Sequence, residues 1–128
     1  MSKFVMDASA ITAVIRGEDG SENVIPHLRG SLISSINLAE VFCNSRSNQS
    51  DPEMDEAAIR TMELETVPFD EQQAMILASI YPQTLGSSVG IADRACMSLA
   101  ILNDLPIITG DRAWRSHEIG VEIILFRS

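Results

Sequence analysis

Apolar positions along this chain come in two rhythms. Short runs such as Phe4-Val5-Met6, Leu32-Ile33 and Ile107-Ile108 are bounded by small or polar residues. They read as buried strands, whereas apolar residues spaced three and four apart read as helices. The short runs predict strands over 3–6, 31–34, 65–68, 107–109 and 122–125. The longer spacing predicts helices over 11–16, 23–28, 37–46, 55–64, 70 to about 80, and 92–103. Gly17-Glu18-Asp19-Gly20 is a predicted turn and the polar stretch 47–52 a loop. Asn37 is placed to cap its helix, and Asp70 with Gln73 resembles a capping box.

Strands alternating with helices predict an α/β fold with a central, mostly parallel sheet and helices on both faces. The 128 residues suit one domain, 1–128, and with 45% hydrophobic residues the chain can bury a core without disulfides or a structural metal. No apolar run approaches the roughly 18 residues of a membrane helix, and no basic leader precedes one. Cys43 and Cys96 both fall in helical patterns, which reads as two buried thiols in a reduced, cytoplasmic chain. The two histidines, His27 and His117, read as surface residues rather than bases.

The chemistry lies in four acids. Asp7 ends the first strand and Asp111 follows the strand over 107–109. In a parallel α/β sheet, ligands sit just beyond the carboxyl ends of the strands, so both acids belong on that edge. Glu40 shares a helical face with Ile36, Ala39 and Cys43; Asp93 shares one with Cys96, Met97, Ala100 and Ile101. A carboxylate inside an apolar stripe costs several kcal/mol or more to bury unless it is paired or bound to a cation. Each acid also has a plain structural reading. Asp7 and Asp93 can cap helices, Asp111 can cap a turn at Arg112-Ala113-Trp114, and Glu40 can pair with Arg46 or Arg94.

All four are nevertheless expected at one edge of one sheet, where carboxylates repel each other unless cations lie between them. Oxygen-only donors select Mg²⁺ or Mn²⁺. Ser9 and Thr109 are placed to hydrogen-bond and orient the carboxylates. Acids around such a cation suit phosphodiester hydrolysis by an activated water. An aspartate-nucleophile phosphatase fits poorly: Ser9 stands where its second acid belongs, and the only lysine is Lys3. The net charge of −9 suits cation binding and is awkward for a nucleic-acid partner. Arg94, Arg112 and Arg115 lie beside the acidic motifs and are the candidate phosphate contacts.

Four stretches in this order resemble the PIN-domain ribonucleases, and among them the VapC-type toxins of bacterial toxin–antitoxin pairs. They are Phe4-Val5-Met6-Asp7-Ala8-Ser9-Ala10, Ser35-Ile36-Asn37-Leu38-Ala39-Glu40-Val41, the segment from Ala92 to Ala100, and Leu105-Pro106-Ile107-Ile108-Thr109-Gly110-Asp111-Arg112-Ala113-Trp114. The resemblance spans nearly the whole chain. It implies a three-layer α/β/α sandwich and a Mg²⁺- or Mn²⁺-dependent endoribonuclease with Asp7, Glu40, Asp93 and Asp111 as catalytic metal ligands. It further implies a homodimer, a cognate antitoxin, and transfer RNA or ribosomal RNA as substrate. The chain differs from many relatives in carrying Gly90 where they carry serine. The competing reading is a PIN-like module that has lost catalysis and serves only to bind a protein partner.

Overall fold

A computed structural model describes residues 3–85 and 88–128. Five short strands, β1 (Val5–Met6), β2 (Leu32–Ser34), β3 (Glu65–Val67), β4 (Ile107–Thr109) and β5 (Ile123–Leu125), form one sheet in the order β3-β2-β1-β4-β5. Every pairing is parallel, so the mostly parallel sheet expected from the sequence is wholly parallel here. The helices are α1 (Ala8–Arg16), α2 (Ser35–Ser47), α3 (Pro52–Thr61), α4 (Glu71–Ile80) and α5 (Ile91–Asn103).

Strand side chains alternate between faces, and each face has its own core. Met6, Ile33 and Ile108 pack with Ile11, Val41 and Met62. Val5, Leu32 and Ile107 pack on the other side with Met97, Leu99 and Trp114. Two buried layers around one sheet make the α/β/α sandwich.

The element boundaries moved for identifiable reasons. Helix α1 starts at Ala8, directly after β1, rather than at residue 11. Helix α2 starts at Ser35 because Ser34, not Asn37, is its cap: the Ser34 hydroxyl accepts from the Ile36 amide at 3.3 Å. Helix α3 starts at Pro52, with Asp51 accepting from the Glu53 amide and the proline preset for the first turn. The helix expected over 23–28 is instead two single 3₁₀ turns, Ser21–Asn23 and Ile25–His27. Asp70 does cap α4, but Gln73 donates to the Pro68 carbonyl rather than reaching back, so the capping box is half formed.

Helix α2 also faces the other way. Its buried residues are Asn37, Val41 and Ser45, while Ile36, Ala39 and Cys43 are exposed. These small polar side chains face inward with their donors used: Ser45 donates to Val41 O, and Asn37 donates through Nδ2 to Ala92 O while its Oδ1 has no partner among the described residues. Of the two cysteines, then, only Cys96 is buried. The stripe on α5 follows the sequence reading, with Cys96, Met97 and Ala100 all buried.

Candidate active site

The chain runs from β1 outward to β2 and β3, then returns to place β4 on the other side of β1. The order of strands therefore reverses between β1 and β4, and a crevice opens beyond their carboxyl ends. Asp7 leaves β1 into this crevice, and Asp111 follows β4 by two residues. Glu40, one turn into α2, and Asp93, in the first turn of α5, line the same cleft. The cleft has a volume of about 570 Å³, and Ser9, Gly110, Arg112 and Arg127 also line it. The four acids predicted from sequence are thus brought together from four separate elements.

Asp7 occupies the N-cap position of α1, yet its carboxylate makes no capping bond to the helix. It is held sideways instead. Ser9 Oγ donates to Asp7 Oδ2 at 2.6 Å and Thr109 Oγ1 donates to the same oxygen at 2.8 Å. The proton direction is fixed, because each hydroxyl also accepts from a backbone amide: Ser9 from Gly110 N at 3.0 Å, Thr109 from Asp111 N at 3.1 Å. Ser9 and Thr109 thus both hydrogen-bond a carboxylate, and it is the same one.

The other acids are anchored as well. Asn37 Nδ2 donates to Glu40 Oε1 at 2.9 Å and to the Ala92 carbonyl at 3.0 Å. One amide thereby ties the second acid to the residue preceding the third. Asp93 is not an N-cap; it sits in the third helical position and accepts from the Gly90 amide at 3.0 Å. Asp111 does cap the 3₁₀ turn Arg112–Ser116, accepting from Ala113 N at 3.0 Å. Among the described residues no ion pair reaches Glu40, so the pairing with Arg46 or Arg94 is not formed.

Electrostatics marks the cluster. Burial raises the Asp7 carboxyl above its ordinary value, more than the Ser9 and Thr109 hydrogen bonds lower it, and the Asp93 charge adds to the rise. Glu40 is raised by burial and then by Asp7 and Asp93; Asp93 is raised by burial and by Asp111. The thiol of Cys96 beneath them is pushed well up by burial and by three of the acids. Among the described residues no three His, Cys, Asp or Glu side chains stand close enough together to hold a metal ion as they are placed here; the acids line an open cleft. An all-oxygen donor set, mutually repelling and open to solvent, fits a hard divalent cation that keeps part of its water shell.

The candidate arginines divide. Arg112 lines the cleft and Arg115 the neighbouring one. Arg94 does not point into either: it is buried, donates through Nε to Thr84 Oγ1 at 2.7 Å and through Nη2 to Thr84 O, and lies over the Tyr81 ring. Its adjacency to Asp93 in sequence misled, because neighbouring residues on a helix project about 100° apart. Two residues of the site were missed. Asn37 was read as a cap, although its spacing of three from Glu40 was the available signal. Arg127 carried no signal at all, since only the β4–β5 pairing brings the end of the chain to the cleft.

A PIN domain family model matches residues 4–119. The chain belongs to the PIN-domain family. No curated protein matches it in sequence. Solved structures share the fold. The chain is similar to VapBC2 from Rickettsia felis bound to a promoter DNA fragment, with a TM-score of 0.76 and 18% identity over 95% of this chain and 97% of that one. It is also similar to DNA-bound VapBC from Salmonella typhimurium (TM-score 0.74, 23% identity, 98% and 99% covered). VapBC-5 from Mycobacterium tuberculosis, a member of the VapBC family of toxin–antitoxin systems, has a TM-score of 0.67 at 21% identity, with both chains covered completely. Among the described residues no helix is long and apolar enough to cross a membrane.

Proposed function

We propose that this PIN-domain protein is a metal-dependent endoribonuclease and the toxin of a type II toxin–antitoxin pair. The observation that carries the reading is the convergence of Asp7, Glu40, Asp93 and Asp111 on one cleft at the reversal of strand order. An acid buried as deeply as Asp7, with its protons arranged for the charged form, is otherwise a net cost to folding.

Asp7, Glu40, Asp93 and Asp111 would hold Mg²⁺ or Mn²⁺, which when bound supplies an acidified water and neutralises charge at a phosphoryl centre. The chain's own part is positioning. Ser9 and Thr109 commit their protons to one oxygen of Asp7 and so fix its plane. Asn37 fixes Glu40, and backbone amides fix Asp93 and Asp111. Arg112 offers its guanidinium to the phosphodiester at the rim of the same cleft. Neither histidine lines the cleft, and no covalent nucleophile is required.

By the same family reasoning, the chain works as a homodimer in the cytoplasm and is held inactive by a cognate antitoxin, with transfer RNA or ribosomal RNA as target. The test is cleavage of total RNA by the purified, antitoxin-free chain at low salt, with mapped ends. Discrete cuts that require Mg²⁺ or Mn²⁺ and vanish with EDTA or Asp7→Asn support the reading. Absence of any metal-dependent cut, with Mn²⁺ shown to bind, assigns the chain to the partner-binding alternative.

A further inference from the structure

Arg127 stands at the junction of two clefts. It lines the acid cleft, and with Arg112 it also lines an adjoining cleft of about 660 Å³ that includes Arg115. Its guanidinium lies flat against Gly110, the residue between Thr109 and Asp111. A Cβ built on Gly110 would fall 2.8 Å from Nε, Cζ and Nη2 of Arg127. A side chain at residue 110 would push the guanidinium out of the position it takes here.

The approach is built, not accidental. Arg127 belongs to a tail clamped at several points. Phe126 is buried, its amide donates to Thr109 O at 3.2 Å, and Asn23 Nδ2 donates to its carbonyl at 2.9 Å. Gly20, at a φ of +89°, passes so close that a Cβ would lie 2.7 Å from Phe126 O and 2.9 Å from Arg127 Cβ. The guanidinium stacks on the Phe126 ring at 4.9 Å, and Nη1 pairs with Glu18 at 3.2 Å. Among the described residues no ion pair joins Arg127 to the four acids, so it does not neutralise them. A part-exposed cation is thus held beside the acid cleft with only Nη1 committed to an ion pair among the described residues.

We infer that Arg127 grips a phosphate next to the scissile one and leads single-stranded RNA from the acid cleft into the cleft lined by Arg112, Arg115 and Arg127. This inference rests on the nuclease reading above. It also addresses how a chain of net charge −9 holds a polyanion: Arg112, Arg115 and Arg127, three of its nine cationic side chains, share one cleft, where they outnumber the acids Asp19 and Glu22. A guanidinium matches two phosphate oxygens with paired N–H groups, which an ammonium cannot do.

The experiment measures binding of a short labelled single-stranded RNA by the full antitoxin-free chain, with Ca²⁺ in place of Mg²⁺, across a salt series. Arg127→Ala is expected to weaken binding about tenfold and to make the log–log salt slope shallower by about 0.7, the share of one single-strand phosphate contact. Arg127→Lys should keep the slope but recover only part of the affinity. Glu18→Gln, which removes the ion pair and keeps the guanidinium, should bind at least as tightly as the parent. Mg²⁺ should raise the melting temperature of Arg127→Ala as much as that of the parent. If Arg127→Ala matches the parent in affinity and slope, or Glu18→Gln loses as much, Arg127 merely fastens the tail, and the nuclease reading survives. If the parent neither binds nor cuts RNA, the nuclease reading falls and this inference falls with it.

Discussion

Thr109 donates its hydroxyl proton to Asp7 across 2.8 Å, joining residues 102 positions apart at the ends of adjacent parallel strands. Thr109 is completely buried and also accepts from the Asp111 amide. One hydroxyl therefore fixes the first acid and the backbone of the last. Thr109→Val keeps the shape and removes both bonds. It should cost about 1–3 kcal/mol in chemical denaturation, since a buried carboxylate loses a donor and a backbone amide loses its acceptor. It should also weaken Mg²⁺ binding about tenfold or more, as loss of a ligand-orienting partner does. Thr109→Ser, which retains the hydroxyl, should recover most of the metal affinity.

The raised acids make a prediction about pH. Asp7, Glu40 and Asp93 each take up a proton at higher pH in the folded chain than in the unfolded one. Between those values the folded state binds more protons, so stability falls as pH rises. The advantage is complete below the unfolded values and lost as pH passes the folded ones. Asp7→Asn keeps an acceptor for Ser9 and Thr109 while removing the charge. In EDTA at about pH 7 it should melt at or above the parent, and the gap should close toward about pH 4. Mg²⁺ should then raise the melting temperature of the parent and not of the variant. A variant markedly less stable than the parent in EDTA at neutral pH would make the Asp7 charge a structural element instead.

How much of this was legible depends on range. The α/β order, most strands and the two acids at strand ends could be read locally, because β1, β2, β4 and β5 are short apolar runs and Asp7 and Asp111 each follow one. The parallel order followed from alternation. What could not be read was orientation. Ile36, Ala39 and Cys43 made a plausible inward stripe on α2, but the helix buries Asn37 and Ser45, whose donors find carbonyls at Ala92 and Val41. Arg94 looked like a site residue by adjacency, and Arg127 did not look like one, because its place is set by contacts with Gly20 and Gly110, far away in the chain. Side-chain direction and long-range packing were decided by tertiary structure, beyond the reach of any local pattern.

Asn37 supplies the next test. Its amide bonds both Glu40 and the carbonyl of Ala92, so it holds α2 and α5 at the separation the acids need. Asn37→Ala should free Glu40 and lower kcat/KM for RNA cleavage by about 10- to 100-fold, with part of the loss recovered at high Mg²⁺. Asn37→Asp places a carboxylate against Glu40 and a carbonyl, and should be the less stable of the two in urea unfolding. Equal activity of Asn37→Ala and the parent across a Mg²⁺ titration would show that Glu40 needs no such support.

Arg94 should behave in the opposite way. It is 8% exposed, with two hydrogen bonds to Thr84 and its guanidinium 4.7 Å from the Tyr81 ring centroid. It therefore fastens the end of α4 and the following 3₁₀ turn Pro82–Thr84 onto α5. Arg94→Ala should cost about 2–4 kcal/mol, because it removes a buried charged donor together with its packing. Arg94→Lys should recover little, since an ammonium cannot bond the hydroxyl and the carbonyl of Thr84 and stack at once. Neither variant should change the salt slope of RNA binding once compared at a temperature where both are folded. A slope shallower by a full phosphate contact in Arg94→Ala would return Arg94 to the nucleic-acid track and contradict the burial seen here.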